Sequence, residues 1–361
     1  MSYESLFQPL QIKNITIPNR LVMAPMTTVS GNIDGTFSDE EIKYLKQRAS
    51  SDIGLIMTPA CYVHKSGHAF ENQVACHDDS MLDSLARCAN AVNSEGALSF
   101  LQIHHGGNAA QSKFTGEKPW APSEVLNRRG TSEMPHAMTA SEIETLIDAF
   151  ARSARRAQKA GFSGIEIHGA NTYLFQQFFS PYTNKREDKW GCTTMENRCR
   201  FACEVIKAVR AEVGSDYPVA YRISPDEPEP DGYSVYDTIE FLKIIVPLGI
   251  DIIHVSSWEY GKGVRDDIPA DTHPTKMIKG AFPETPVIGV GGIRHPDQAM
   301  RILNDGVDLV AIGQALLLDK DWGAKVKNGD IANIRTEIKT EDEREQLNIP
   351  APMKKYTKRF L

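Results

Sequence analysis

The sequence predicts a closed (β/α)8 barrel, a TIM barrel, on three observations. Short apolar runs recur eight times, amphipathic helical patterns separate them, and no Pro/Gly/Ser-rich linker divides the 361 residues. Strand–helix alternation implies parallel strands joined by right-handed crossovers. Eight repeats within roughly 300 residues favour a closed ring over an open sheet. We therefore expect one domain over residues 1–361.

The elements follow in order. Residues 9–20 (PLQIKNITIPNR) alternate apolar and polar side chains around Lys13-Asn14, which predicts an N-terminal β-hairpin. The strand-like runs are residues 21–26 (LVMAPM), 53–58 (IGLIMT), 98–103 (LSFLQI), 164–168 (GIEIH), 218–224 (PVAYRIS), 250–256 (IDIIHVS), 286–291 (PVIGVG) and 309–313 (LVAIG). Helical stripes at 3.6-residue spacing fall at 39–50, 81–95, 139–160, 195–213, 235–248 and 296–304. Residues 104–137, rich in Gly, Pro and Ser, predict an excursion after strand 3 that covers the barrel mouth. From Lys325 onward the tail is charged and helical in character.

Composition narrows the function classes. Hydrophobic residues make up 41% and charged residues 24%, as in ordinary globular chains. With 40 basic against 47 acidic residues, the net charge of −7 gives no reason to expect nucleic acid or an anionic membrane as partner. No apolar run approaches a membrane span, and the N-terminus lacks the pattern of a secretory signal, so a cytoplasmic location is expected. The six cysteines form no C-x-x-C pair; we expect reduced, packed thiols and no metal site. His64-x-x-x-His68 and His104-His105 are poorly spaced for shared ligation.

In such a barrel the chemistry sits at the C-terminal ends of the strands. Those ends carry Pro25, Met26 and Thr27; Ala60; Gln102 and His104; His168; Arg222; Ser256; Gly291 and Gly292; Gly313 and Gln314. The stretch 164–182 (GIEIHGANTYLFQQFFSPY) concentrates the most. His168 and Asn171 can donate hydrogen bonds to a substrate oxygen, and Tyr173 is a phenol, protonated at neutral pH. Two donors beside a proton source suit reduction of a polarised double bond. Taken alone, the stretch also fits a strand-end histidine and a packing aromatic. Arg222, inward by alternation, needs either Glu166 or a ligand as partner, and its strand-end position favours the ligand. The glycines closing the last two strands allow backbone N–H groups to approach a phosphate. Gly289-Val290-Gly291-Gly292 is not a dinucleotide fingerprint, because Arg294 holds its sixth position.

Together these segments resemble the Old Yellow Enzyme family of FMN-dependent NAD(P)H oxidoreductases and ene-reductases. The resemblance rests on NRLVMAPMT (19–27), LQIHHGGNAA (101–110), WAPSEV (120–125), AGFSGIEIHGANTYLFQQFFSPYTNKREDKWG (160–191), MENRCRFACEVIKAVR (195–210), VAYRIS (219–224) and LVAIGQALL (309–317), in the family's order. It implies FMN as cofactor and NADH or NADPH as electron donor. Pro25, Met26 and Thr27 would contact the flavin ring, with the Thr27 hydroxyl toward O4. Ala60 and Gln102 would meet its pyrimidine part, and Arg222 would lie near N1 and O2. Gly291, Gly292, Gly313 and Gln314 would fall at the FMN phosphate. His168 and Asn171 would grip the oxygen of a small electrophile, an α,β-unsaturated carbonyl or nitro compound, and Tyr173 would supply the proton.

Two departures stand out. Gln314 replaces the family's usual arginine, with Lys262 or Arg294 as candidate substitutes, and Thr172 replaces a common glycine before Tyr173. Rival readings are another FMN barrel, such as a hydroxy-acid oxidase, a metal enzyme, and a flavin-poor ligand-binding or regulatory barrel. A homo-oligomer would let Arg359 of the tail reach a neighbouring subunit's mouth.

Overall fold

The computed structural model describes residues 2–127, 133–265, 267, 269 and 272–354. Arg359 lies outside the described residues. Eight parallel strands form the wall: β1 (Leu21–Met23), β2 (Leu55–Met57), β3 (Leu98–His104), β4 (Gly164–Gly169), β5 (Val219–Ile223), β6 (Ile252–Val255), β7 (Val287–Val290) and β8 (Leu309–Ile312). Each pairs with the next in parallel register and β8 returns to β1, so the ring closes as the alternation predicted.

Helices α1 (Asp39–Ala49), α2 (Leu82–Asn93), α3 (Ala140–Lys159), α4 (Met195–Val213), α5 (Val235–Ile245), α6 (Pro274–Ala281), α7 (Pro296–Asn304) and α8 (Gln314–Leu318) lie between or after the strands. The longest of these, α3, starts at a reciprocal cap. Thr139 Oγ1 accepts from the Glu142 N–H, and the Glu142 carboxylate accepts from the Thr139 N–H at 2.7 Å. Helix α6 was not among the periodic stripes; it spans only eight residues, of which Pro274, Thr275 and Ile278 are buried.

Strand alternation sorts the core into two layers. Leu21, Met23, Ile165, Ile167, Val219, Tyr221, Ile253 and Val310 pack outward against the helices. Val22, Leu55, Met57, Phe100, Ala220, Ile252, Ile288, Leu309 and Ala311 form a second, inner cluster. Phe100 fits because Gly164, its register partner, has no side chain; a Cβ there would stand 2.5 Å from the ring.

The hairpin, Leu10–Ile12 paired with Ile15–Ile17, adds Ile12 and Ile17 to this inner cluster and plugs the N-terminal end of the barrel. The opposite end is left open for chemistry. Ile17 is fully buried, so Ile17→Ala is expected to lower unfolding free energy by about 2–5 kcal/mol, read as a reduced urea midpoint at unchanged slope.

The excursion after β3 contains a short helix, Ser112–Thr115, and a two-residue pairing of Trp120–Ala121 with His136–Ala137. Its described residues Ala109, Gln111 and Asn127 line the cavity at the mouth. The tail folds back on the barrel. Ile338, Leu347, Ile349 and Met353 join the outer core, and the buried guanidinium of Arg48 donates to the carbonyls of Leu316 (3.2 Å) and Leu347 (3.1 Å). Among the described residues, no helix is long and apolar enough to cross a membrane.

Candidate active site

Strand β4 and the turn after it build the site. Ile165 and Ile167 anchor the strand in the outer core, which leaves Glu166 and His168 facing inward. On β5, Arg222 is the register partner of His168 and, on its other side, of His254. The chain then turns through two successive left-handed residues, Asn171 (φ 58°) and Thr172 (φ 68°). Asparagine tolerates this region, whereas a β-branched residue there is a true outlier that costs about 1–3 kcal/mol. Hydrogen bonds hold the turn. Asn171 N–H donates to Ser224 Oγ (2.9 Å), Thr172 N–H to Gln176 Oε1 (2.8 Å), and Gln177 Nε2 to the Thr172 carbonyl (2.7 Å). Tyr173 follows as the first residue before the helix Leu174–Phe179.

The network assigns which atoms are donors. His168 is buried, and burial, reinforced by His104 and Arg222, holds its imidazole well below the usual histidine range, so the ring is neutral. Its Nδ1 accepts from the Ala170 N–H (3.3 Å), which leaves the proton on Nε2. Asn171 Oδ1 accepts from Ser256 Oγ (3.2 Å), which turns the Nδ2 donor group away from that serine. Tyr173 packs edge-on against His104 (4.5 Å between ring centres), His168 (5.1 Å) and Phe70 (5.9 Å). Burial pushes its phenol up to about 12 against the pull of Arg222, so the hydroxyl is protonated.

Beneath these groups lies a buried polar layer. Gln102 Nε2 donates to Glu166 Oε1 (2.7 Å), and Glu166 Oε2 accepts from His254 Nδ1 (2.5 Å). Burial pulls the Glu166 carboxyl up, but His254, Arg222 and Gln102 together hold it below the usual range. The anion therefore sits under Arg222 without pairing directly with it. Arg222 Nη1 donates to the Pro25 carbonyl (3.4 Å), and its buried Nε has no hydrogen-bond partner among the described residues. Of the two partners expected for Arg222, the structure gives Glu166 to Gln102 and His254 and leaves Arg222 lining a cavity.

A cavity of about 800 Å³ opens above this layer. Asn171, Tyr173 and Arg222 share its wall with Ser256, Gln176 and Glu227. Thr27 and Ala60 line a small adjoining cleft, and Phe70 borders both spaces. Pro25 and Gln102 are buried below, in contact with Arg222 and Glu166. Gly291, Gly292, Gly313 and Gln314 lie on the rim outside both spaces, at the ends of β7 and β8, and Met26 meets that rim with its Sδ 3.3 Å from where a Gly313 Cβ would stand. His104 and His105 diverge: His104 faces Tyr173, and His105 Nε2 lies 3.0 Å from Ser66 Oγ. Sequence reasoning missed Phe70, Gln176, Glu227 and His254. Of these, His254 was accessible, since it lies two residues after the inward Ile252 and so shares its face.

Residues 5–333 match the NADH:flavin oxidoreductase / NADH oxidase family. The chain belongs to this family. It is 37% identical over 358 residues to the probable NADH-dependent flavin oxidoreductase YqiG of Bacillus subtilis (strain 168), covering 97% of this chain and 95% of that one. It is 36% identical to the NADH:fumarate oxidoreductase of Klebsiella pneumoniae (strain 342), covering 99% of this chain but only 39% of that longer protein. An old yellow enzyme homologue from Zymomonas mobilis superposes with a TM-score of 0.82 at 25% identity, covering 96% of this chain and 99% of that one. 2-Naphthoyl-CoA reductase, in complex with 2-naphthoyl-CoA, gives 0.85 at 28% identity over 92% of this chain and 53% of that one.

As a member of the NADH:flavin oxidoreductases, the chain is an Old Yellow Enzyme-type oxidoreductase with FMN as cofactor and a nicotinamide dinucleotide as donor. The residues present fit FMN. Arg222 offers a buried, unpartnered Nε–H at the floor of an open cavity. The rim after β7 turns through Gly291 (φ 138°) and Gly292 (φ 67°), and a Cβ at 291 would strike the Tyr260 nitrogen at 2.4 Å. The charge absent from Gln314 stands beside it, because Arg294 Nη2 donates to Gln314 Oε1 at 3.1 Å. Lys262, the other candidate, is bound to Glu259 at 2.9 Å.

Proposed function

We propose that this chain is an FMN-dependent ene-reductase that takes hydride from NADH or NADPH and reduces activated alkenes, α,β-unsaturated carbonyl or nitro compounds. The observation that carries the reading is a cavity wall that holds Asn171 and the protonated phenol of Tyr173, with the His168 ring packed edge-on against Tyr173 at 5.1 Å between ring centres. FMN, when bound, supplies hydride transfer between the nicotinamide and the alkene. His168 and Asn171 hydrogen-bond the activating oxygen of the substrate and stabilise the negative charge that grows there. Arg222 places a fixed positive charge below them. The π component of the C=C bond breaks as the β-carbon receives hydride, the α-carbon takes a proton from Tyr173, and the tyrosinate is reprotonated from solvent. The net change is NAD(P)H, H+ and alkene to NAD(P)+ and saturated product.

The relatives' names support the reading. NADH recurs as donor, while the acceptors named are fumarate in one relative and acrylate in another. Both are conjugated acids of the kind such a donor pair suits. The test is anaerobic titration of the holoenzyme with NADH and NADPH, followed by a panel of enones and nitroalkenes. Loss and then return of flavin absorbance with an alkene supports it; reduction by the nicotinamide with no reoxidation by any alkene would falsify it.

Arg294 is assigned to the FMN phosphate in place of the missing arginine at Gln314. A charge-assisted hydrogen bond is worth about 1.5–3 kcal/mol, so Arg294→Ala is expected to raise the FMN dissociation constant of the apoprotein about 10- to 100-fold. Riboflavin affinity, measured by the same fluorescence quenching, should stay unchanged. An equal loss for both flavins would place Arg294 elsewhere.

A further inference from the structure

We propose that Gln176, oriented by Glu227, is a positioning residue that holds the Thr172 backbone in its left-handed conformation and thereby aims Tyr173 at the substrate. The inference rests on the reading of Tyr173 as proton donor. The observation behind it is the turn itself, where a β-branched residue at φ 68° directly precedes the tyrosine. Left to its own preferences, such a residue returns to negative φ and swings the following side chain away.

Gln176 opposes that return. Its Oε1 accepts the Thr172 N–H at 2.8 Å, while its Nε2 donates to Glu227 Oε2 at 3.3 Å. Both side chains are buried, at 4% exposure each, and both border the cavity. Glu227 is fixed in turn, because its Oε1 accepts from Ser180 Oγ and from the Tyr233 N–H at 3.2 Å. The Thr172 N–H can only donate, so it selects the Gln176 amide orientation, and Glu227, whose carboxyl burial pushes up to about 7, accepts from the Nε2 that then faces it. Gln177 grips the other side of the residue through the Thr172 carbonyl, and is itself tied to Asn108 Oδ1 at 2.7 Å. The tyrosine needs this external hold, since its ring is steadied by edge contacts with His104, His168 and Phe70, which permit sliding.

The experiment compares two half-reactions of the FMN-loaded protein by anaerobic stopped flow: reduction by NADH and reoxidation by cyclohexenone. The quantity read is the ratio of the second rate to the first. Gln176→Ala is expected to lower that ratio about 10- to 100-fold, the scale of a misplacement near 1 Å. Adding Thr172→Gly, which makes the left-handed turn intrinsically easy, should restore it. A purely structural role for Gln176 would not be repaired by glycine at 172. Where Gln176→Ala fails to fold, Gln176→Met serves, because it keeps a similar volume but cannot accept the Thr172 N–H, and it should lower the same ratio.

Two outcomes overturn the proposal: an unchanged ratio in the Gln176 variant, or no recovery when Thr172→Gly is added. A Tyr173→Phe control separates the two levels. If it lowers the ratio and Gln176→Ala does not, the clamp fails alone. If it leaves the ratio unchanged, the proton-donor reading fails with it.

Discussion

Tyr173→Phe is expected to slow reoxidation of the reduced enzyme by an enone about 10²- to 10⁴-fold, the usual contribution of a positioned general acid. Reduction by NADH should be retained, because that step needs no proton from the phenol. The substitution removes one oxygen and leaves the ring, so the edge contacts with His104, His168 and Phe70 stay available. The pH dependence follows from the same burial. The active form is the protonated phenol, present below its pKa. With that pKa pushed up to about 12, the alkene step should hold level through neutral pH and fall only as pH rises toward that value. A wild-type profile that falls already near pH 8, with flavin reduction unaffected, would point to a different proton source.

How much of this was readable beforehand depends on whether a residue's role is local or remote. The barrel was legible because each strand repeats one pattern, and the ring needs only that repetition. His168 and Arg222 were legible as inward strand-end residues, for alternation fixes their face once Ile167 and Tyr221 are assigned to the helical layer. The turn at Asn171 and Thr172 was not, since threonine at positive φ runs against its own preference and is imposed by tertiary contacts. Those contacts come from afar: Glu227 lies 51 residues beyond Gln176. Phe70 reaches Tyr173 from the loop after β2, a stretch with no periodicity to read. Arg222 was legible as a charge in need of a partner, but not that Glu166 would be taken by Gln102 and His254 instead.

Asn171→Asp tests the donor pair more sharply than truncation would. Aspartate has the same shape and also tolerates the left-handed backbone, and Ser256 can still donate to it. What changes is one atom's character, from an N–H₂ donor to a carboxylate oxygen facing the substrate's own oxygen. Loss of one such donor costs about 10²- to 10³-fold in rate, and the expected loss in alkene reoxidation is at least of that order because repulsion is added. The sign with pH then discriminates. A protonated aspartic acid donates again, so the variant should recover as pH falls through the pKa of the new carboxyl, while wild type stays flat over that range. Ser256→Ala makes the complementary change: it removes the hydroxyl that turns the Asn171 amide, and a smaller loss is expected because the amide can still reach the donating orientation. If Asn171→Asp reoxidised with an enone as fast as wild type at neutral pH, no charge would be developing on an oxygen held at Asn171. The substrate would then have to be activated by His168 alone.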